Sequence, residues 1–217
     1  MTDVRQQISS VRRTLGARTL EAGEARVSTI SQAYDTDPDD LWEVVTRPER
    51  IARWFLPVDG ELKEGGHYQI EGNAGGTITR CDRPRGFAAT WEFGGMVSWI
   101  EVRLTAEDDG RTRLELEHVA HVSDDLWDQY GPSATGIGWD SSLYGLASHL
   151  ADPEWVRPGP EEVVAWMTSE VGRSMLRGSA DAWAEADIAA GADPAAARSR
   201  ADRAYAAYTG DGAEDPA

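Results

Sequence analysis

The sequence predicts an α+β fold in which a curved antiparallel meander packs against one long helix. Three observations carry this: extended segments punctuated by glycines between Leu56 and Val122, an apolar period of 3.6 residues that returns at Trp139, and 41% hydrophobic residues in a chain of 217. Nine tryptophans, spread from Trp42 to Trp183, supply more large apolar surface than a disordered polyelectrolyte carries.

Val4, Ile8, Val11 and Leu15 fall on one helical stripe, so a leading helix is expected over 3–16, stopped by Gly16. The β-branched run 26–34, RVSTISQAY, reads as the first strand. Asp37 before Pro38 is N-cap and N1 chemistry for the helix LWEVVT, and Asp40 adds a carboxylate at its positive end. A second short helix begins at Pro48 and carries Ile51, Trp54 and Phe55 on its buried side. Turns are expected at Gly65-Gly66, Gly75-Gly76, Gly94-Gly95 and Asp109-Gly110.

The last two strands, VSWIEVRL and TRLELEHVAH, alternate about the Asp109-Gly110 turn. Glu101, Arg103, Arg113, Glu115 and Glu117 share the wet face, where cross-strand ion pairs can form. Ile100, Val102, Leu104, Leu114, Leu116 and His118 share the other. Trp139, Leu143, Leu146 and Leu150 form the stripe of the closing helix. Past the breaker DPEWVRPGP, helices are expected over 169–190, ended by Gly191, and from the Asp193-Pro194 cap to Gly210. The chain thus divides into an N-terminal helical extension (1–25), a main domain (26–152), a C-terminal helical extension (153–210) and a loose tail (211–217).

Composition excludes several functions. The chain has 21 basic against 38 acidic side chains, a net charge of −17, and Lys63 is its single lysine, which is poor equipment for neutralising nucleic-acid phosphates or anionic membranes. Cys81 is alone, so no disulfide framework or thiolate cluster is expected. No apolar run is long enough to insert in a membrane and the N-terminus has no secretory h-region, so a cytoplasmic protein is expected. No glycine-rich nucleotide loop, G-x-S-x-G or H-E-x-x-H stands in the chain, and no cofactor is expected.

Candidate chemistry is sparse. His118 and His121 are three apart on a predicted strand, which sends their rings to opposite faces, so no metal site is expected. Asp35, Asp37, Asp39 and Asp40 resemble a calcium loop, but Pro38 interrupts them and Thr46 stands where the bidentate glutamate belongs; helix capping explains them better. Cys81, near Arg80, Arg83 and Arg85, reads as an inert thiol. The aromatic face is more informative. Phe87, Ala89, Trp91 and Phe93 share one strand face, and small residues such as Ala89 and Ser98 beside large rings leave room for a ligand. The candidate ligand-binding set is Tyr68 and Ile70; Phe87, Ala89 and Trp91; Ile100, Val102, Leu116 and His118; and Trp139, Leu143 and Tyr144. His118 and Tyr144 are its polar tips, and Gly136, Gly138 and Gly145 would let the closing helix act as a lid.

The stretches AYDTDPDDLWEVVTRPERIARWFLPVDGELKEGGHYQIEG, GGTITRCDRPRGFAATWEF, RTRLELEHVAH and GWDSSLYGLASHL resemble the START-like (SRPBCC) superfamily. Within it they resemble the group named after the activator of the heat-shock protein 90 ATPase, over roughly residues 26–150. The resemblance implies the helix-grip fold, a curved sheet gripping the long helix around a deep cavity that in relatives holds apolar molecules or lipids. The flanking segments resemble extensions of actinobacterial members. Three functions follow as expectations. The first is non-catalytic binding of a small apolar or aromatic ligand or lipid, for carriage, sequestration or sensing. The second is a cyclase, aromatase or hydratase with His118 as acid or base and Tyr144 as donor. The third is an interaction module, a homodimer or co-chaperone, using the stripe Val171, Met175, Leu176 and Trp183.

Overall fold

The computed structural model describes residues 3–211; of the expected loose tail, 212–217 lie outside the described residues. Asp211 is ion-paired to Arg173 at 2.7 Å. Eight strands form one antiparallel sheet in the order β1-β2-β8-β7-β6-β5-β4-β3. They are β1 (Arg12–Leu20), β2 (Gly23–Tyr34), β3 (Val58–Gly60), β4 (His67–Ile70), β5 (Gly75–Asp82), β6 (Gly86–Phe93), β7 (Met96–Ala106) and β8 (Thr112–Ala120). Consecutive strands are neighbours from β3 to β8; β2 then closes onto β8, and β1 is the edge.

The leading segment departs from expectation. Helix α1 (Val4–Ser10) stops early, and Arg12–Leu20 pairs with β2 from Arg12↔Ser31 to Leu20↔Gly23, with Gly16 in mid-strand. A step of four, as between Val11 and Leu15, fits a period of two as well as one of 3.6, and the open edge of β2 offers the segment a hydrogen-bonding partner along its whole length. The expected Gly75-Gly76 turn is also displaced: those residues open β5, and the chain turns at Gly72 with φ of 64°.

Alternation in β7 and β8 sorts the faces as the sequence predicts. Ile100, Val102, Leu104, Leu114 and Leu116 are buried on the inner face. On the outer face Arg103 bridges Glu101 at 2.8 Å and Glu115 at 3.0 Å. Against the cost of partial burial, hydrogen bonds from Arg80 and Arg103 hold the Glu101 carboxyl below the usual carboxylate range. Arg113 pairs instead with Glu107 at 2.6 Å, and Glu117 with Arg18 of β1 at 2.8 Å. Each such surface pair contributes little on its own.

Helices α2 (Pro38–Thr46) and α3 (Pro48–Trp54) follow β2; Asp37 caps the first, accepting from the Asp40 amide at 2.9 Å. The closing helix α5 (Ser133–Ala151) lies under the inner face. Two short helices escaped the sequence reading: α4 (Asp124–Tyr130), capped by Ser123, and α6 (Pro160–Thr168) within the proline-rich segment. Helices α7 (Glu170–Ala189) and α8 (Pro194–Thr209) pack back on the same chain. Met175, Leu176 and Trp183 of the α7 stripe are buried against it, while Val171 stays exposed.

A buried carboxylate fastens these layers. Asp140 of α5 is fully buried and accepts from Arg13 Nε of β1 at 3.0 Å, Ser179 Oγ at 2.6 Å and Trp183 Nε1 at 2.9 Å, the last two from α7. One turn earlier, a Cβ on Gly136 would lie 2.3 Å from the Trp183 indole nitrogen. Gly136 therefore serves close packing, and the expected lid role does not hold. Gly145 likewise admits the Trp54 carbonyl oxygen, 2.4 Å from where its Cβ would be.

Asp140→Asn should destabilise the protein by about 3–5 kcal/mol in urea unfolding, because it leaves Arg13 buried without its counter-charge; a change below about 1 kcal/mol would refute the role given to Asp140. Gly136→Ala should cost about 1–3 kcal/mol by the same measurement, since the rigid Trp183 ring has to shift.

Candidate functional site

Between the inner sheet face and α2, α3 and α5 lies a cavity of about 380 Å³. Ten of the twelve expected ligand-binding residues line it. The strands contribute Tyr68 and Ile70 (β4), Phe87, Ala89 and Trp91 (β6), Ile100 and Val102 (β7) and Leu116 (β8); α5 contributes Trp139 and Leu143. The set lacked the opposite wall, where Trp42 and Val45 of α2, Ile51 and Trp54 of α3 and then Phe55 face the sheet. The stripe of α3 was readable in the sequence, but nothing local shows that it faces a void and not solid core.

The hydroxyls of the lining and the Trp54 indole are already engaged. Tyr68 donates its hydroxyl to the Thr90 carbonyl at 2.6 Å, Ser142 to that of Gly138 at 2.9 Å and Thr46 to that of Trp42 at 2.6 Å. Trp54 donates its indole N–H to the Val44 carbonyl at 3.0 Å. Burial, with the nearby Glu92 charge, raises the Tyr68 phenol above its ordinary value, so it stays protonated. Among the described residues four buried side-chain nitrogens lack a hydrogen-bond partner, and of the four only Trp139 Nε1 belongs to this lining. Arg83 borders the cavity, but its guanidinium is exposed and lies 3.4 Å from Glu43.

The two polar tips lie elsewhere. Tyr144 is on the far side of α5, stacked on Trp166 of α6 with ring centroids 5.5 Å apart. It is five residues from Trp139, which turns it roughly 140° around the helix. His118 has the inward parity expected of it but lies past Trp139, against whose ring it packs edge-on at 5.7 Å. It borders a separate recess. His121 points to the outer face and packs edge-on against Trp99 at 6.0 Å. Cys81 is exposed on the cavity border. In the acidic cluster, Asp37 caps α2 and Asp40 pairs with Arg50 at 2.6 Å. No helix among the described residues is long and apolar enough to cross a membrane.

Burial pushes the His118 pKa from 6.5 down to about 4. Between those values the unfolded chain takes up a proton that the folded protein refuses. The contribution of His118 is therefore complete above pH 6.5, is lost as pH falls towards about 4, and amounts to about 3 kcal/mol over that window. His118→Gln should flatten this limb of stability against pH in urea titrations; identical slopes would show that the imidazole is not held neutral.

Comparison with known proteins places this geometry. The family model described as activator of Hsp90 ATPase homolog 1-like protein matches residues 35–151. The crystal structure of CalU16 from Micromonospora echinospora is 36% identical, covering 81% of this chain and 97% of that one, with a TM-score of 0.60. Its solution structure gives 35%, 84%, 97% and 0.65 for the same quantities. A conserved protein of unknown function from Enterococcus faecalis, 13% identical, shares the fold at a TM-score of 0.55, over 81% of this chain and 91% of its own. Among curated proteins the comparison found no match. The match over more than half the chain lies on the helices, strands and closing helix that enclose the cavity, and the protein belongs to the activator of Hsp90 ATPase homolog 1-like family, with the START-like helix-grip fold.

Proposed function

We propose that the protein binds a small, largely uncharged apolar or aromatic molecule in the cavity between the sheet and α5, and does so without chemical turnover. The observation that carries this is a void of about 380 Å³ whose walls are aliphatic and aromatic and whose tyrosine, serine, threonine and Trp54 donors are already spent on backbone carbonyls. Apolar walls reward burial of ligand surface, and engaged donors leave little to orient a polar substrate. The Trp139 indole N–H is the exception, and an acceptor reaching it would relieve a buried unsatisfied donor.

The enzyme reading loses support because its proposed acid–base pair is split: His118 and Tyr144 both lie outside the cavity, on different sides of α5. The interaction reading loses the stripe it relied on, since Met175, Leu176 and Trp183 are buried within the same chain.

The neutral dye N-phenyl-1-naphthylamine should bind with a saturable rise in emission. Ser142→Trp, which fills the cavity from α5, should weaken binding about tenfold or more with little change in stability, as lost burial of one ring face predicts. No rise in emission, or an unchanged affinity in the variant, would refute the reading.

A further inference from the structure

Past Trp139 the inner face of the sheet continues into a second recess of about 440 Å³. The same strand faces build both spaces. Along β6, Phe87 and Ala89 face the first cavity, Phe93 the recess, and Trp91 both. Along β7 the change falls between Ile100 and Ser98, and along β8 between Leu116 and His118. Trp139 lies 5.1 Å from the Trp91 ring and 5.7 Å from that of His118, so three rings form the partition.

The recess has a different chemistry. Ser98 donates its only hydroxyl proton to the Trp91 carbonyl at 3.0 Å. With that proton so placed, the hydroxyl accepts from His118 Nε2 at 2.9 Å, and the arrangement that makes both bonds has the imidazole as the Nε2–H tautomer. Nδ1 is left as a bare lone pair, and no described residue donates to it. Ser28, opposite His118 in the β2–β8 register, brings a hydroxyl to the same space. The guanidinium on the border, Arg26, is taken: it pairs with Asp124 at 3.0 Å and lies 4.1 Å over the Trp127 ring. The mouth is apolar. Of seven large hydrophobic side chains exposed among the described residues, four, Phe93, Met96, Val97 and Leu126, border this recess.

We propose that this recess is a second ligand site, selective for an apolar molecule that carries a neutral hydroxyl group, with phenols as the class that fits. The hydroxyl donates to His118 Nδ1 while the ring packs among Trp91, Trp127 and Phe93. A carboxylate of the same shape would meet a lone pair in place of a donor at His118, and would give up hydration where the Arg26 guanidinium is already paired with Asp124 and the His121 ring is held at the Glu24 carbonyl. This second site does not depend on what occupies the first cavity.

The tryptophans provide the test, because the Trp127 indole borders only the recess, whereas those of Trp42 and Trp54 border only the first cavity. In nitrogen-15 spectra of the full chain at neutral pH, 2-naphthol should move the Trp127 indole resonance saturably, and 2-naphthoate should bind there at least tenfold more weakly. His118→Phe should weaken 2-naphthol at Trp127 about tenfold, the worth of one buried hydrogen bond, while leaving naphthalene unchanged. Thr135→Trp, on the exposed border of the recess, should abolish the Trp127 response and spare that of Trp42; it tests the site even if His118→Phe does not fold. An unmoved Trp127 resonance, equal affinity for naphthol and naphthoate, or unchanged naphthol affinity in His118→Phe would each overturn the proposal. Movement of Trp42 and Trp54 alone would support the first cavity and refute the second site.

Discussion

The Asp140 carboxylate is the fastening on which the rest of the molecule depends. A charge with no solvent exposure is tolerable only when its hydrogen-bonding capacity is met, and here β1 supplies a guanidinium and α7 a hydroxyl and an indole N–H. Nearby, burial, followed by the Asp140 charge, raises the Tyr34 phenol well above its ordinary value, and its hydroxyl donates to Gln32 at 3.2 Å. Three segments distant in sequence thus meet at one helix. Gly136, a turn before Asp140, completes the arrangement by letting the Trp183 ring lie on the helix backbone. The β1 edge and the C-terminal helices therefore belong to the structural unit that holds α5, although both stand outside the matched residues 35–151.

Fixing one side of α5 decides what the other side can do. Gly136 and Asp140 face α7, while Trp139, Leu143 and Leu146 face the sheet. The cavity wall made by α5 is consequently rigid. The opposite wall differs: α3 has no fully buried residue, and its inward side chains Ile51 and Trp54 border the void. Adjustment to a ligand then falls to α3 more than to the closing helix or to α2, whose Leu41, Trp42, Val44 and Val45 are buried. The Trp54 indole is tied to the Val44 carbonyl and its own carbonyl abuts Gly145, so those helices are anchored at one end.

Much of this was legible in the sequence because two periods dominate it. Strict alternation in β7 and β8, and the apolar stripe from Trp139 to Leu146, identify the inner face; Ile100, Val102, Leu116, Trp139 and Leu143 follow from those periods, and the shared strand face of Phe87, Ala89 and Trp91 adds β6. Parity, however, says which face a side chain occupies and not how far along the strand it lies. His118 shares its parity with Leu116 and yet falls beyond the Trp139 partition. Tyr144 was misplaced for a plainer reason, since its angle from Trp139 around the helix already directs it away from the sheet. The β1 strand was hidden because Val11 and Leu15 satisfy both periods, and the deciding term, the free edge of β2, is tertiary. Asp140 gave no local sign of its role: an acidic residue in a helix reads as solvated until Arg13, Ser179 and Trp183 are brought to it.

The partition on the inner face has a dynamic consequence. Trp91, Trp139 and His118 are held by ring contacts and by one short chain of hydrogen bonds through Ser98, while the backbone elements carrying them are either in the centre of the sheet or clamped by α7. Opening the partition requires rotation of these rings, since moving α5 would have to break the Asp140 cluster. Ring rotation in a packed interior needs free volume, and that volume exists here on both sides of the partition. A ligand that fills either space removes part of it.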